Sequence, residues 1–314
     1  MIVYMLRRVG SGIVVFLTVT SACFFLYYLR GGENIARGLL PADSSEDQIQ
    51  QRVVALGLDR PVLVQYADWL FSLVRGDLGR SFVTGEPVTS TMATRAPVTL
   101  SLIVATLVLT LVFSVILGVL AARRGGFFDR GVQVMSVVLG AVPSYLLGLM
   151  LVITFAINLR VFPATGFVPI TQSFTGWLAT MALPSISIAA GAIFGLAVWI
   201  RSSIVDVQRR EFVRTLRSRG LSSTAITYRH VLRNAAAPTV QMLGLMIISL
   251  VGGTIIIERV FALNGVGSMA LNAGELGDIP QVLGAVTFMV LVIVITNLAV
   301  DLLNGFLNPK VRTA

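Results

Sequence analysis

Six runs of residues, 9–29, 98–122, 132–158, 183–200, 237–257 and 282–303, are almost free of charge, Asp301 being the exception. A bilayer's hydrocarbon core is about 30 Å thick and takes about 20 apolar residues in helix, so each run is long enough to cross it or nearly so. The rest of the composition agrees. The 314-residue chain is 55% hydrophobic and 12% charged, with a mean hydropathy of +0.86, more apolar surface than a soluble domain of this size could bury. Alternating ten-residue strands are missing, which argues against a membrane β-barrel. Helices are the remaining way to satisfy backbone hydrogen bonds in lipid, so the expected fold is an all-α membrane protein with six transmembrane helices. Arg7 and Arg8 followed by an apolar run ending in TSAC also fit a secretory signal, but the run continues as FFLYYL and five more follow.

Lysine and arginine retain their flanks on the cytoplasmic side. With the N-terminus inside, fifteen of the 24 basic residues fall on inner segments, eight of them between Arg201 and Arg233. Only Asp129, Asp206, Glu211 and Asp301 of the 15 acidic residues lie there, giving an inner face of +11 and an outer face of −2. Both termini are therefore expected to be cytoplasmic, and the net charge of +9 reflects topology rather than nucleic-acid binding. The implied organisation is a first transmembrane helix over residues 1–30, an extracytoplasmic loop over 31–97, a core with five transmembrane helices over 98–304, and a cytoplasmic tail over 305–314. Within the outer loop, Tyr66, Trp69, Leu70 and Leu73 fall at helical spacing, which predicts short surface helices.

Several chemistries are excluded or poorly supported. The phosphate-binding GxxxxGK[ST] loop needs a lysine after glycine, and the only lysine, Lys310, follows Pro309. One histidine and one cysteine, His230 in the inner loop and Cys23 in the first span, supply neither a metal cluster nor a catalytic pair. Cys23 reads as a packing residue. The spans hold almost no ionisable groups of the kind that carry ion or proton coupling. Asp301 lies near an inner end, where water or Arg312 could solvate it. Neither a catalytic residue nor a metal site is expected.

The inner loop over 201–236 is more ordered than its charge requires. From Asp206 to Arg219, Val213, Leu216 and Gly220 fall on one side with Phe212 beside them, while Arg210, Arg214 and Arg217 share another. This predicts a short amphipathic helix stopped by Gly220, then a second short helix over 224–232 capped by Ser222 or Ser223. Two readings stand: a positively charged loop meeting lipid phosphates, or a rigid protrusion that docks on a partner.

The stretch EFVRTLRSRGLSSTAITYRHVLRN resembles the inner-loop signature of permease subunits of ATP-binding cassette (ABC) importers, in the oligopeptide, dipeptide and nickel group. The matching residues are Glu211, Phe212, Val213, Arg214, Thr215, Gly220, Leu221, His230, Leu232, Arg233, Asn234 and Pro238. Leu216 and Ser218 stand where the family commonly has alanine, and Arg214 stands where the general importer pattern has an acid. LGLDRPVLVQY, RGDLGRSF, VPSYLLGLML and GGTIIIERVFALNGVGSMA are similar to the same group, so the resemblance covers nearly the whole chain.

The resemblance implies the type I importer permease fold in a bacterial cell membrane, with half of a translocation path for peptides. It implies a second, similar permease subunit, two cytoplasmic ATPase subunits that bind ATP and Mg, and an extracytoplasmic substrate-binding protein. Nickel chelate, haem or another small solute are alternative cargoes. A self-contained channel or secondary carrier is an alternative class; a carrier should show ionisable residues or broken half-helices mid-span, and the spans show chiefly Pro143 in the third. The ATPase-coupling residues implied are Glu211, Phe212, Arg214, Thr215, Leu216, Arg217, Gly220, Leu221, His230 and Arg233. Glu258, Gly265 and Gly267 are read as a gate or inter-subunit element in a loop after the fifth span, with a solvated interfacial acid as the alternative for Glu258.

Overall fold

The structure is a computed structural model that describes residues 2–307. Thirteen α-helices run in order among these residues: α1 Ile2–Tyr28, α2 Gly32–Gly38, α3 Glu46–Ala55, α4 Val62–Val74, α5 Val88–Arg124, α6 Gly126–Ala141, α7 Ser144–Leu151, α8 Phe174–Gln208, α9 Glu211–Ser218, α10 Ser223–Ala225, α11 Leu232–Val260, α12 Val266–Leu276 and α13 Ile279–Leu307. Two π-helical stretches, Val152–Asn158 and Ile226–Val231, extend α7 and α10. The chain divides into two compact units. One comprises residues 1–9, 101–262 and 295–314, and the other residues 10–100 and 263–294.

Among the described residues, five helices are long and apolar enough to cross a membrane: α1, α5, α8, the part of α11 from Pro238, and α13. The expected third span, 132–158, is not one helix. It is a pair, Gly126–Ala141 and Ser144–Asn158, bent by 97° at the intervening break, so the count reaches six only if the pair is one span. The break is local chemistry. Pro143 lacks an N–H and forces Val142 out of the helical region, to φ −85° and ψ 122°.

In the first unit, helices approach closely where glycine removes a side chain. A Cβ on Gly118 of α5 would lie 2.8 Å from the Ala197 carbonyl oxygen of α8, and one on Gly191 of α8 would lie 3.0 Å from the Leu139 carbonyl oxygen of α6. The same helices are tied by charge. Arg201 on α8 donates from Nε to Asp129 Oδ1 at 2.9 Å and from a terminal nitrogen to Oδ2 at 2.5 Å, a two-pronged pair on a carboxylate that Gln133 also reaches. Asp301, expected to rely on water or Arg312, instead pairs with Arg8 at 3.0 Å. Arg312 lies outside the described residues.

The second unit is built on aromatic and apolar packing. The face of α4 carrying Tyr66 and Trp69 meets Phe24 of α1, each ring centroid 5.3 Å from that of Phe24, and Phe24 stacks on Tyr28 at 4.1 Å. Cys23 packs partly buried against this cluster. A capping box forms at α3, with Ser45 and Gln48 each accepting from the other's backbone. The RGDLGRSF segment is pinned by Asp278, a buried carboxylate just before α13. Asp278 accepts from the Ser81 hydroxyl and from the Phe82 amide at 3.0 Å, while Ser81 Oγ accepts from the amides of Val83 and Thr84.

Asp278→Ala leaves the Ser81 hydroxyl and the Phe82 amide without their acceptor, at an expected cost of about 2–3 kcal/mol. Amide hydrogen exchange over residues 81–85 is expected to accelerate more than tenfold, while exchange within α9 stays unchanged.

Candidate functional site

α8 extends beyond its apolar run to Gln208, so Asp206, expected to open the next helix, belongs to α8. Arg210 then takes an extended conformation, φ −71° and ψ 149°, and α9 starts at Glu211. The acid stands in the first turn and Arg217 in the last, both favourable to the helix dipole. Val213 is fully buried and joins a core with Leu196, Ile200, Ile204, Ile226 and Val231. Phe212, Leu216 and Leu221 pack partly buried against the same core. The expected apolar side is found for Phe212, Val213 and Leu216, whereas Gly220, read with them from the sequence, is exposed beyond the end of α9.

The end of α9 is fixed by backbone geometry. Gly220 adopts φ +79°, its amide donates to the Arg217 carbonyl at 3.0 Å, and the Leu221 amide donates to the Leu216 carbonyl at 3.3 Å. This is a Schellman turn, and Leu216 and Leu221, its two outermost bonded residues, both pack against the same core. Ser222 caps α10 by accepting from the Ala225 amide at 3.3 Å. The expected second short helix over 224–232 is not separate. Residues 223–260 run without interruption through α10, the π-helical stretch and α11, passing Pro238 on the way.

Sorting the expected residues by exposure separates two roles. Glu211, Arg214, Thr215, Arg217 and Gly220 are exposed, as are Ser218 and Arg219. Phe212, Leu216 and Leu221 turn inward, so Leu216 supports the helix rather than presenting itself. His230 is half-buried in the π-helical stretch and, with Arg229, Arg233 and Asn234, lines a cavity of about 350 Å³. The Asn234 side-chain amide donates to the His230 carbonyl at 2.8 Å. The base of the loop has a further brace that sequence reading missed. Arg123, at the end of α5, donates to the Tyr228 hydroxyl at 3.0 Å and lies 5.4 Å from the centre of its ring.

Glu258 is fully buried near the end of α11, which removes the reading of a solvated acid. The loop expected after Glu258 is short, residues 261–265: Gly265 closes it as the N-cap of α12, and Gly267 lies buried inside that helix. They belong to the second compact unit, whereas Glu258 belongs to the first.

Helices long and apolar enough to cross a membrane, joined to a small amphipathic helix with an inward apolar face and an outward basic one, are the pattern of a polytopic membrane protein. The comparisons make this specific. Residues 114–313 match the family model described as binding-protein-dependent transport system inner membrane component, and residues 1–103 match the N-terminal model of the same systems. The chain belongs to this family of ABC-importer permeases. It is similar to a Brucella abortus (strain 2308) protein provisionally named a peptide transport system permease, with 36% identity over 309 residues and 98% of both chains. It is also similar to the oligopeptide transport system permease protein AppB of Bacillus subtilis (strain 168), with 30% identity over 99% of this chain and 100% of that one. The di/tripeptide transport system permease protein DppB of Pseudomonas aeruginosa (strain UCBPP-PA14) is 30% identical over 99% of both chains.

The space around Gly220 is open, so Gly220→Ala meets no clash and is penalised only by its positive φ, about 1–2 kcal/mol. Gly220→Asn is expected to cost less, because asparagine visits this region more readily. Hydrogen exchange at residues 216–221 checks the order Gly, Asn, Ala in decreasing protection.

Proposed function

We propose that this chain is the transmembrane permease subunit of an ATP-driven peptide importer, forming half of the translocation path for peptides handed over by an extracytoplasmic binding protein. In this reading the bent pair counts as one span, giving six, and both termini lie in the cytoplasm of a bacterial cell. The other half of the path is a second, similar permease. Two cytoplasmic ATPase subunits bind ATP and Mg and supply the work.

The observation that carries the proposal is the seat of α9. Its inward side chains share one core with the end of α8 and with the residues leading into α11. Its outward side presents Arg214, Thr215, Arg217 and Gly220. Close-packed interiors move as units, so a partner gripping the outward side displaces two long helices directly. Closure of the ATPase pair on ATP would carry α9 with it and switch the spans from inward-open to outward-open. Glu211 and the segment through His230 and Arg233 frame the contact. The family relationship and the names of the relatives support peptides as cargo over nickel chelate or haem, and an importer subunit over a self-contained channel or carrier.

The test is co-purification with the ATPase subunits together with peptide uptake into proteoliposomes. Arg214→Glu combined with Arg217→Glu, and separately Gly220→Asp, are expected to lower ATPase association at least tenfold, a loss of about 1.4 kcal/mol, and to abolish uptake. Insertion and folding are expected to be retained, because these side chains lie outside the core. Intact association and uptake in both variants would overturn the assignment of α9 as the coupling element.

A further inference from the structure

α4 has more apolar surface than its packing uses. Tyr66 and Trp69 face α1, but Leu63, Val64, Phe71 and Val74 form a second stripe on a different side of the same thirteen-residue helix. Leu63 is 71%, Phe71 60% and Val74 81% exposed. Only one sector, holding Gln65, Asp68 and Ser72, is polar, and Gln65 is buried against the Leu58 and Arg60 carbonyls. A helix that is apolar on nearly every side is at home in a nonpolar medium rather than on a wet surface.

The contacts of α4 fix its depth along α1. The Tyr66 hydroxyl is 2.7 Å from Ser21 Oγ, and Tyr66 also meets Phe24 and Phe25. Counting back from Tyr28, where α1 ends, a rise of 1.5 Å per residue places Phe24 about 6 Å and Ser21 about 10 Å inside that end. Interfacial helices bury their apolar face about 5–10 Å into the boundary between headgroups and acyl chains. α1 itself is exposed along its length, at Ile13, Val14, Val15 and Leu26 for example, as a lipid-facing span must be. The Arg75 guanidinium stands 4.0 Å from the centre of the Phe71 ring, a cation–π contact that holds its charge beside the apolar stripe.

We propose that α4 is an interfacial membrane helix whose Leu63, Phe71 and Val74 insert among the lipids around the C-terminal end of α1. The inference rests on α1 being a membrane span. The occupant of the exposed stripe is lipid, not a second protein.

Cys23 is the only cysteine, so Cys23→Ala gives a background for single-site labelling. Phe71→Cys, Val74→Cys, Val14→Cys in α1 and Asp47→Cys in the polar helix α3 are labelled with an environment-sensitive fluorophore in the assembled transporter, reconstituted in phosphatidylcholine vesicles. Labels at 71 and 74 are expected to be quenched by shallow doxyl lipids and to be shielded from iodide at least about threefold relative to position 47. Iodide access equal to that at 47 would overturn the proposal. So would shielding from both quenchers, which would identify a protein partner over the stripe. The label at 14 separates the two layers: lipid quenching there with none at 71 or 74 sinks the inference and leaves the span reading intact.

Discussion

The burial of Val213 is the contact on which the transport reading depends. An eight-residue helix is too short to be stable in water on its own, since helix nucleation is unfavourable and short segments gain few hydrogen bonds. α9 persists because its apolar face completes a core that α8 and the residues before α11 leave open. Its orientation is set at both ends, by the extended Arg210 and by the Schellman turn at Gly220. The arginines on the outside are free to serve recognition because they contribute little to holding the helix in place. Charge marks this loop in the sequence, but apolar packing gives it shape.

Much of this was legible from residue order. The apolar runs located the long helices, and the spacing of Phe212, Val213 and Leu216 against Arg214 and Arg217 gave the inward and outward faces of α9. The positive φ of Gly220 follows from a glycine placed just past a periodic segment. Other features were not legible, for identifiable reasons. The run over 132–158 is continuous in hydropathy, so the break at Val142 and Pro143 depends on a backbone restriction that hydropathy does not register. Helix ends blurred for the converse reason. α8 and α11 continue past their apolar stretches because hydrogen bonding does not stop where hydropathy falls, and Pro238 is accommodated inside α11.

The partners of buried carboxylates were the least readable. Asp129 and Arg201 lie 72 positions apart, and Ser81 and Asp278 lie 197 apart. As a single letter, each aspartate registers only as a contribution to the charge of a face. In the structure both carboxylates are buried and answered by several donors, which is how a membrane protein keeps polar groups away from water without large penalty. Asp278 shows the same economy at the level of the loop. One carboxylate organises a segment rich in glycine and polar residues that has no core of its own.

The Arg8 to Asp301 pair joins helices distant in sequence. Tyr4 reinforces it, donating its hydroxyl to the Asp301 carbonyl at 3.3 Å, and a Cβ on Gly305 would lie 3.4 Å from the Tyr4 ring. These contacts tie the N-terminal part of α1 to the C-terminal part of α13, so loss of α13 would deprive α1 of an ion pair and an aromatic seat at the same place.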